Sequence, residues 1–304
     1  MFDVELLSII ASVVLVFILG YSAKKLGILK QEQAPILNNV IIYLTLPALI
    51  FKGIYTADLE GKLYLVAVIS LLTTGFVMAI AFLISRFLKL EPQLAGTFML
   101  VAAIGNTGYI AYPLLISLYG NTGLVRGIFY DMFGTVIVIL TIGLYICSVF
   151  GKSAEKPSII RQLFSFPPIY GLFLGFILKP FVLPEVLMRT VDIVAAVTVG
   201  LILISVGLSL EPVKEARRYI PLLSLTFVLK LLISPFIVFL LAKIFPLDGL
   251  SVRASVLSAS MPPALLTLVF GLKYGLDAGF LSSSIFILTI ASAVTVPLMQ
   301  LLLR

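Results

Sequence analysis

Ten runs of mostly apolar residues follow one another along the chain, at 6–23, 33–51, 63–85, 92–119, 127–150, 162–178, 191–210, 219–242, 252–272 and 278–303. Few folds accept such a pattern. Roughly 17–25 apolar residues in a helix cover about 30 Å of hydrocarbon. Barrel strands would instead alternate polar and apolar residues over about 10 positions. A helix also pairs its own backbone groups, which lipid cannot do. Composition agrees, with 61% hydrophobic and 12% charged residues among 304 and a mean hydropathy of +1.20, far outside the soluble range. The expectation is an all-α integral membrane protein with ten transmembrane helices.

Residues 1–5 carry Asp3 and Glu5, and Lys24, Lys25 and Lys30 follow the first run. This charge order predicts a retained first span, entering with its N-terminus outward, rather than a cleaved signal. Lysine and arginine number twelve in the links after the odd-numbered runs and eight on the other side, so the richer side should face the cytoplasm and both termini the outside. The net charge of +7 is therefore scattered over short links. No basic stripe suggests a nucleic-acid partner.

Adding 155 to first-half numbers drops the first five runs onto the last five, and Gly20, Lys24, Tyr119 and Gly120 onto Gly175, Lys179, Tyr274 and Gly275. Five spans is an odd number, so the second copy starts on the opposite membrane face. The reading is two inverted repeats, 1–150 and 161–304, joined by a cytoplasmic linker at 151–160 that leaves no room for a separate soluble domain. Inverted repeats of this kind are common in secondary transporters, with sites near the midplane at the repeat interface.

The fourth and ninth runs are interrupted at matching depths. The first interruption is Gly105-Asn106-Thr107-Gly108 with Pro113; the second is Ser260-Met261-Pro262-Pro263. At about 1.5 Å per residue, Asn106 lies roughly 21 Å along its run and Pro262 roughly 15 Å along its own. Proline has no N–H, so Pro113 should orphan the Tyr109 carbonyl, and Pro262 and Pro263 those of Ser258 and Ala259. Met261 is pushed toward an extended conformation by the proline after it. Gly105 and Gly108 offer backbone angles that other residues avoid. Exposed carbonyls, exposed amides and half-helix N-termini at this depth require a cavity or buried protein around them, and helix N-termini attract anions. The alternative is a proline kink satisfied by neighbouring helices.

Two ionisable residues fall inside runs. Lys230 needs a partner near the bilayer centre, and Asp131 is the charged candidate by elimination. Lys230 could attract a substrate carboxylate, hold the broken helices through their carbonyls, or form a structural ion pair with Asp131. Asn38 and Asn39 are candidate contacts to a carboxylate, with interhelical hydrogen bonding as the favoured alternative. Asp192 reads as interfacial, and Tyr109 and Tyr112 as pathway lining or aromatic packing. The chain has no histidine, and Cys147 is its one cysteine. Histidine-based triads, His-Glu-x-x-His zinc sites, intrachain disulfides and cysteine-rich metal sites are thus excluded, and neither an enzyme nor a resident metal or cofactor is expected.

Together, the Gly105–Gly108 element with Pro113, the stretch Leu46-Pro47-Ala48-Leu49-Ile50-Phe51, Pro167-Pro168 and Met261-Pro262-Pro263 resemble the auxin efflux carrier family, in its short prokaryotic form. The resemblance implies a crossover fold similar to that of bile acid sodium symporters and sodium/proton antiporters. Spans 1, 2, 6 and 7 would be a scaffold and spans 3–5 and 8–10 a transport domain. It also implies elevator-type alternating access, a small organic acid such as malonate or malate as substrate, location in the plasma membrane, and a homodimer formed through the scaffold. Three functions follow: a carrier of organic anions, a sodium-coupled symporter or cation/proton exchanger on the same fold, and a non-transporting receptor. Asn106, Thr107 and backbone groups at the crossover favour the first. Sodium or a proton remains open as coupling ion.

Overall fold

The computed structural model describes residues 4–59, 62–154, 157–211 and 214–302; Asp3, Lys156 and Arg304, used above for orientation, lie outside the described residues. In chain order the helices are α1 (Val4–Lys25), α2 (Gln31–Thr56), α3 (Leu63–Phe87), α4 (Pro92–Ala103), α5 (Thr107–Phe150), α6 (Ile159–Phe164), α7 (Pro167–Leu178), α8 (Glu185–Ser209), α9 (Ala216–Ile244), α10 (Gly249–Ala259), α11 (Leu265–Lys273) and α12 (Ala278–Leu302). No strand occurs among the described residues. By length and composition α1, α2, α3, α5, α8, α9 and α12 can cross a membrane, while α4 and α7 are shorter apolar helices. At 44 residues, α5 is long enough for two crossings, and its helical path breaks at Gly120 (φ 62°, ψ −154°).

Three prolines sit inside helices at one recurring local feature. Wide π turns at Ile41–Thr45, Thr107–Ala111 and Val228–Ile233 end two residues before Pro47, Pro113 and Pro235. A π turn reaches from residue i to i+5, so it steps past the missing proline N–H and lets the helix continue. Pro113 therefore does not interrupt its span, contrary to the expectation. The gap lies upstream, at 104–106, between α4 and α5. The tandem Pro262-Pro263 is not absorbed this way: α10 ends at Ala259 and α11 starts at Leu265.

The chain divides into two compact units. The first comprises 1–60, 112–128 and 164–210. Here α7 lies so close to α2 that a Cβ on Gly171 would come within 3.0 Å of the Pro47 Cα, and one on Gly175 within 2.8 Å of the Ile54 Cβ. Without a hydrophobic drive between helices in lipid, this backbone approach supplies the packing. Lys179 donates to the carbonyls of Ile54 (3.2 Å), Tyr55 (3.0 Å) and Ala57 at the end of α2, and Lys24 donates to the Leu210 carbonyl at the end of α8. Two lysines thus cap helix C-termini, where carbonyls lack intrahelical donors. The second unit comprises 61–111, 129–163 and 211–304. Its core gathers Val66, Ile69, Tyr130, Val238, Val256 and Ala259, and Gly134 lets α5 approach α3 closely at Ser70. Asp248 caps α10 by accepting from the Ser251 N–H at 2.8 Å, the usual role of an N-terminal aspartate.

Candidate functional site

Within the second unit the two interruptions are hydrogen-bonded to each other. The Asn106 N–H donates to the Pro262 carbonyl at 2.7 Å, and the Ala264 N–H donates to the Ile104 carbonyl at 3.0 Å, making an antiparallel bridge between Gly105 and Pro263. Both segments are extended here: Ile104 has ψ 113° and Ala264 ψ 139°. The bridge satisfies four backbone groups that neither helix could pair alone. Gly105, Asn106, Thr107, Met261, Pro262 and Pro263 are all buried.

Proline chemistry accounts for the carbonyls on the α10 side. The Ser258 and Ala259 carbonyls would accept from the N–H groups of residues 262 and 263, but both are prolines and have none. In their place the Met261 N–H reaches the Ser258 carbonyl at 3.3 Å, and the Lys230 ammonium donates to the Ala259 carbonyl at 3.2 Å. Lys230, 2% exposed, stands in the π turn of α9. Its ammonium lies against Gly105, where a Cβ would be 3.0 Å from Nζ and 3.2 Å from Cε.

Asp131 is 3% exposed, so it belongs to the interior and not to the surface near Arg126. Its carboxylate accepts the hydroxyl of Thr107. Thr107 is also hydrogen-bonded to Thr135 at 2.9 Å. One hydroxyl carries one proton, so with Thr107 donating to Asp131, Thr135 supplies the proton of the second bond. A Cβ on Gly108 would come 3.3 Å from Asp131 Oδ2.

One expectation changes. Gly105 and Gly108 are not in the left-handed region, which among the described glycines is reached by Gly27, Gly120 and Gly275. Each glycine is instead a gap into which a charged side chain fits, Lys230 at one and Asp131 at the other. For Lys230 the structure shows one of the stated alternatives, a bond to the carbonyl of a broken helix, and the Asp131 carboxylate takes the Thr107 hydroxyl. Thr135 escaped the sequence reading, although its position four residues after Asp131 puts both on one helix face.

Asn106 is 4% exposed; among the described residues its side-chain amide makes no hydrogen bond, yet it is not one of the fully enclosed polar groups left unpaired. The amide therefore keeps a little accessible surface, at which a ligand group can supply the missing partner. It offers two N–H donors and one acceptor, which suits a carboxylate. Asn38, Asn39 and Pro113 belong to the other unit. There the Asn38 Oδ1 accepts from the Ser205 hydroxyl at 2.7 Å, an interhelical bond between α2 and α8, and Asn39 is exposed. Asp192 pairs with Lys52 at 2.7 Å in a half-exposed ion pair.

The profile of the Membrane transport protein family matches residues 6–300. An uncharacterized transporter of Methanocaldococcus jannaschii is 33% identical over 302 residues, covering 96% of this chain and 97% of that protein. One of Methanothermobacter thermautotrophicus is 35% identical over 297 residues, 97% of each chain. A Rhizobium meliloti protein described as a candidate malonate transporter is 29% identical over 298 residues, 94% of this chain and 92% of that one. The chain is a multi-pass membrane transporter and belongs to the Membrane transport protein family, the family of the auxin efflux carriers.

Proposed function

We propose that the protein is a secondary carrier of small organic anions, taking a carboxylate at the bridged crossover of its two broken spans. The observation that carries this reading is the Asn106 side-chain amide, on a residue only 4% exposed, making no hydrogen bond among the described residues and yet not fully enclosed, beside the Gly105–Pro263 bridge. Its N–H groups would donate to the carboxylate. The opening N–H groups of α5 and α11, which have no acceptor within their helices, would add positive potential. The relative described as a candidate malonate transporter supports a dicarboxylate among the substrates.

In this reading the chain has ten spans in two inverted repeats. Matched features under the 155-residue offset support it: Gly120 and Gly275 both take positive φ, 62° and 72°, and Lys24 and Lys179 both cap a helix end. The second compact unit carries the substrate through the plasma membrane by elevator-type alternating access, the first stays fixed as the scaffold of a homodimer, and both termini face outward. Lys230 and Asp131 then order the site from either side of the first break. Asn38 and Asn39 serve the scaffold, Asn38 through its bond to Ser205.

A second reading, cation-coupled transport on the same fold, draws on one observation. Asp131 is a buried carboxylate among hydroxyls, a set that suits a proton or sodium. The first reading is tested with purified protein in liposomes and labelled malonate, malate and monocarboxylates. Uptake of at least one acid is expected in the parent protein. Asn106→Ala should lower that uptake by about 100-fold, as expected when a buried charge-assisted hydrogen bond is lost, with an unchanged melting temperature. Full uptake in the folded variant would remove Asn106 from the site.

A further inference from the structure

Lys230 brings a cation to a place where two broken helices present oxygen. Helices α4 and α10 both stop at the bridge, at Ala103 and Ala259, and a helix C-terminus carries partial negative charge. The Ala259 carbonyl is released because residue 263 is a proline, and the Lys230 ammonium takes it at 3.2 Å. The Met261 carbonyl and the Lys230 ammonium both border the space at Gly105, 3.6 Å and 3.0 Å from where a Cβ would stand. Among the described residues Lys230 is in no ion pair. The oxygen it meets belongs to the backbone, at the C-terminus of α10.

An ammonium surrounded in this way does what an alkali cation does at a broken membrane helix: it accepts the field of unpaired carbonyls and holds two segments together. We propose that Lys230 is a resident cation, tethered at the crossover in place of a bound sodium or potassium ion, so that the protein folds its site and works without either ion. The glycine at 105 is the space the ammonium needs. Lysine has three N–H donors and one is used on Ala259, so the others remain for a carboxylate brought to Asn106. The transport arm of this inference rests on the carrier reading; the stability arm does not.

The test removes the tether and returns the charge in solution. Purified parent protein, Lys230→Ala and Lys230→Gln are melted in choline buffer, then with sodium, potassium, ammonium or methylammonium chloride. The expected result is a rise of about 2–4 °C in the variants with at least one small cation, and none in the parent beyond that seen with choline chloride. In liposomes, parent uptake should be unchanged when choline replaces sodium and potassium. Uptake by Lys230→Ala should fall at least about tenfold and recover with the cation that raises its melting temperature. A small cation that stabilises the parent, or parent uptake that needs sodium or potassium, overturns the proposal. So does a folded variant that no cation stabilises. If neither variant folds, the parent decides by the same measurements: indifference to every alkali ion supports the tether, and dependence on one overturns it. If no acid is transported at all, the carrier reading fails while the melting experiment still judges Lys230.

Discussion

The two breaks in the second unit meet as reciprocal partners but differ in what surrounds the bridge. The break after α4 contains no proline and keeps its N–H groups; Asn106 uses its own to reach the Pro262 carbonyl. The break after α10 has two prolines in tandem and is rich in acceptors, at Ser258, Ala259 and Pro262. Each break gives the bridge one N–H and one carbonyl, but only the first adds a polar side chain, Asn106, and only the second carries carbonyls released by proline. Nor does proline alone decide whether a helix stops. Pro47, Pro113 and Pro235 are each preceded by a π turn and passed through, whereas two consecutive prolines remove two successive donors, more than one wider turn can bypass.

The strongest way to break that asymmetry is to replace both prolines, Pro262→Ala with Pro263→Ala. Restored N–H groups would compete for the Ser258 and Ala259 carbonyls and favour a continuous helix by about 3 kcal/mol per proline. Uptake should fall by about 100-fold or more while the protein stays folded, as read by liposome assay and circular dichroism. Thr107→Val comes next. It leaves the buried Asp131 carboxylate one donor short at a cost of about 1–3 kcal/mol, visible as a lower melting temperature that Thr107→Ser should largely restore.

The two glycines of the first break separate by distance. Gly105→Ala sets a methyl 3.0 Å from the Lys230 ammonium and should cost about 1–3 kcal/mol. Gly108→Ala meets Asp131 at 3.3 Å, a contact the carboxylate can yield to, and should cost about 1 kcal/mol or less. Equal melting temperatures for the two would show that the ammonium is not confined by residue 105. Smallest of all is Lys52→Met in the first unit, where the ion pair to Asp192 is 40% and 48% exposed. The change in melting free energy should stay within about 1 kcal/mol, and uptake should be unaffected.

Much of this could be read in the chain beforehand, because its signals are local. A run of apolar residues states its own length, and a proline lacks an N–H wherever it sits, so the released Ser258 and Ala259 carbonyls were foreseeable. The fate of Pro113 was not, because whether a helix kinks or widens depends on how its neighbours pack, and the π turn at Thr107–Ala111 leaves no mark in composition. The glycines were misread for a related reason. Gly105 and Gly108 suggest unusual backbone angles, yet they are needed for side chains contributed from Lys230 and Asp131, more than 20 residues away in each case.

By itself the sequence determined that this chain belongs in lipid, that its course is helical, and where one of its helices must stop, since each of these follows from the hydrogen-bonding capacity of individual residues. Only the tertiary structure decided which orphaned groups find each other: Asn106 with Pro262, Ala264 with Ile104, Lys230 with Ala259 and Thr107 with Asp131. Pairing across such separations depends on how the helices pack, and packing is a property of the whole unit that no single stretch of residues carries.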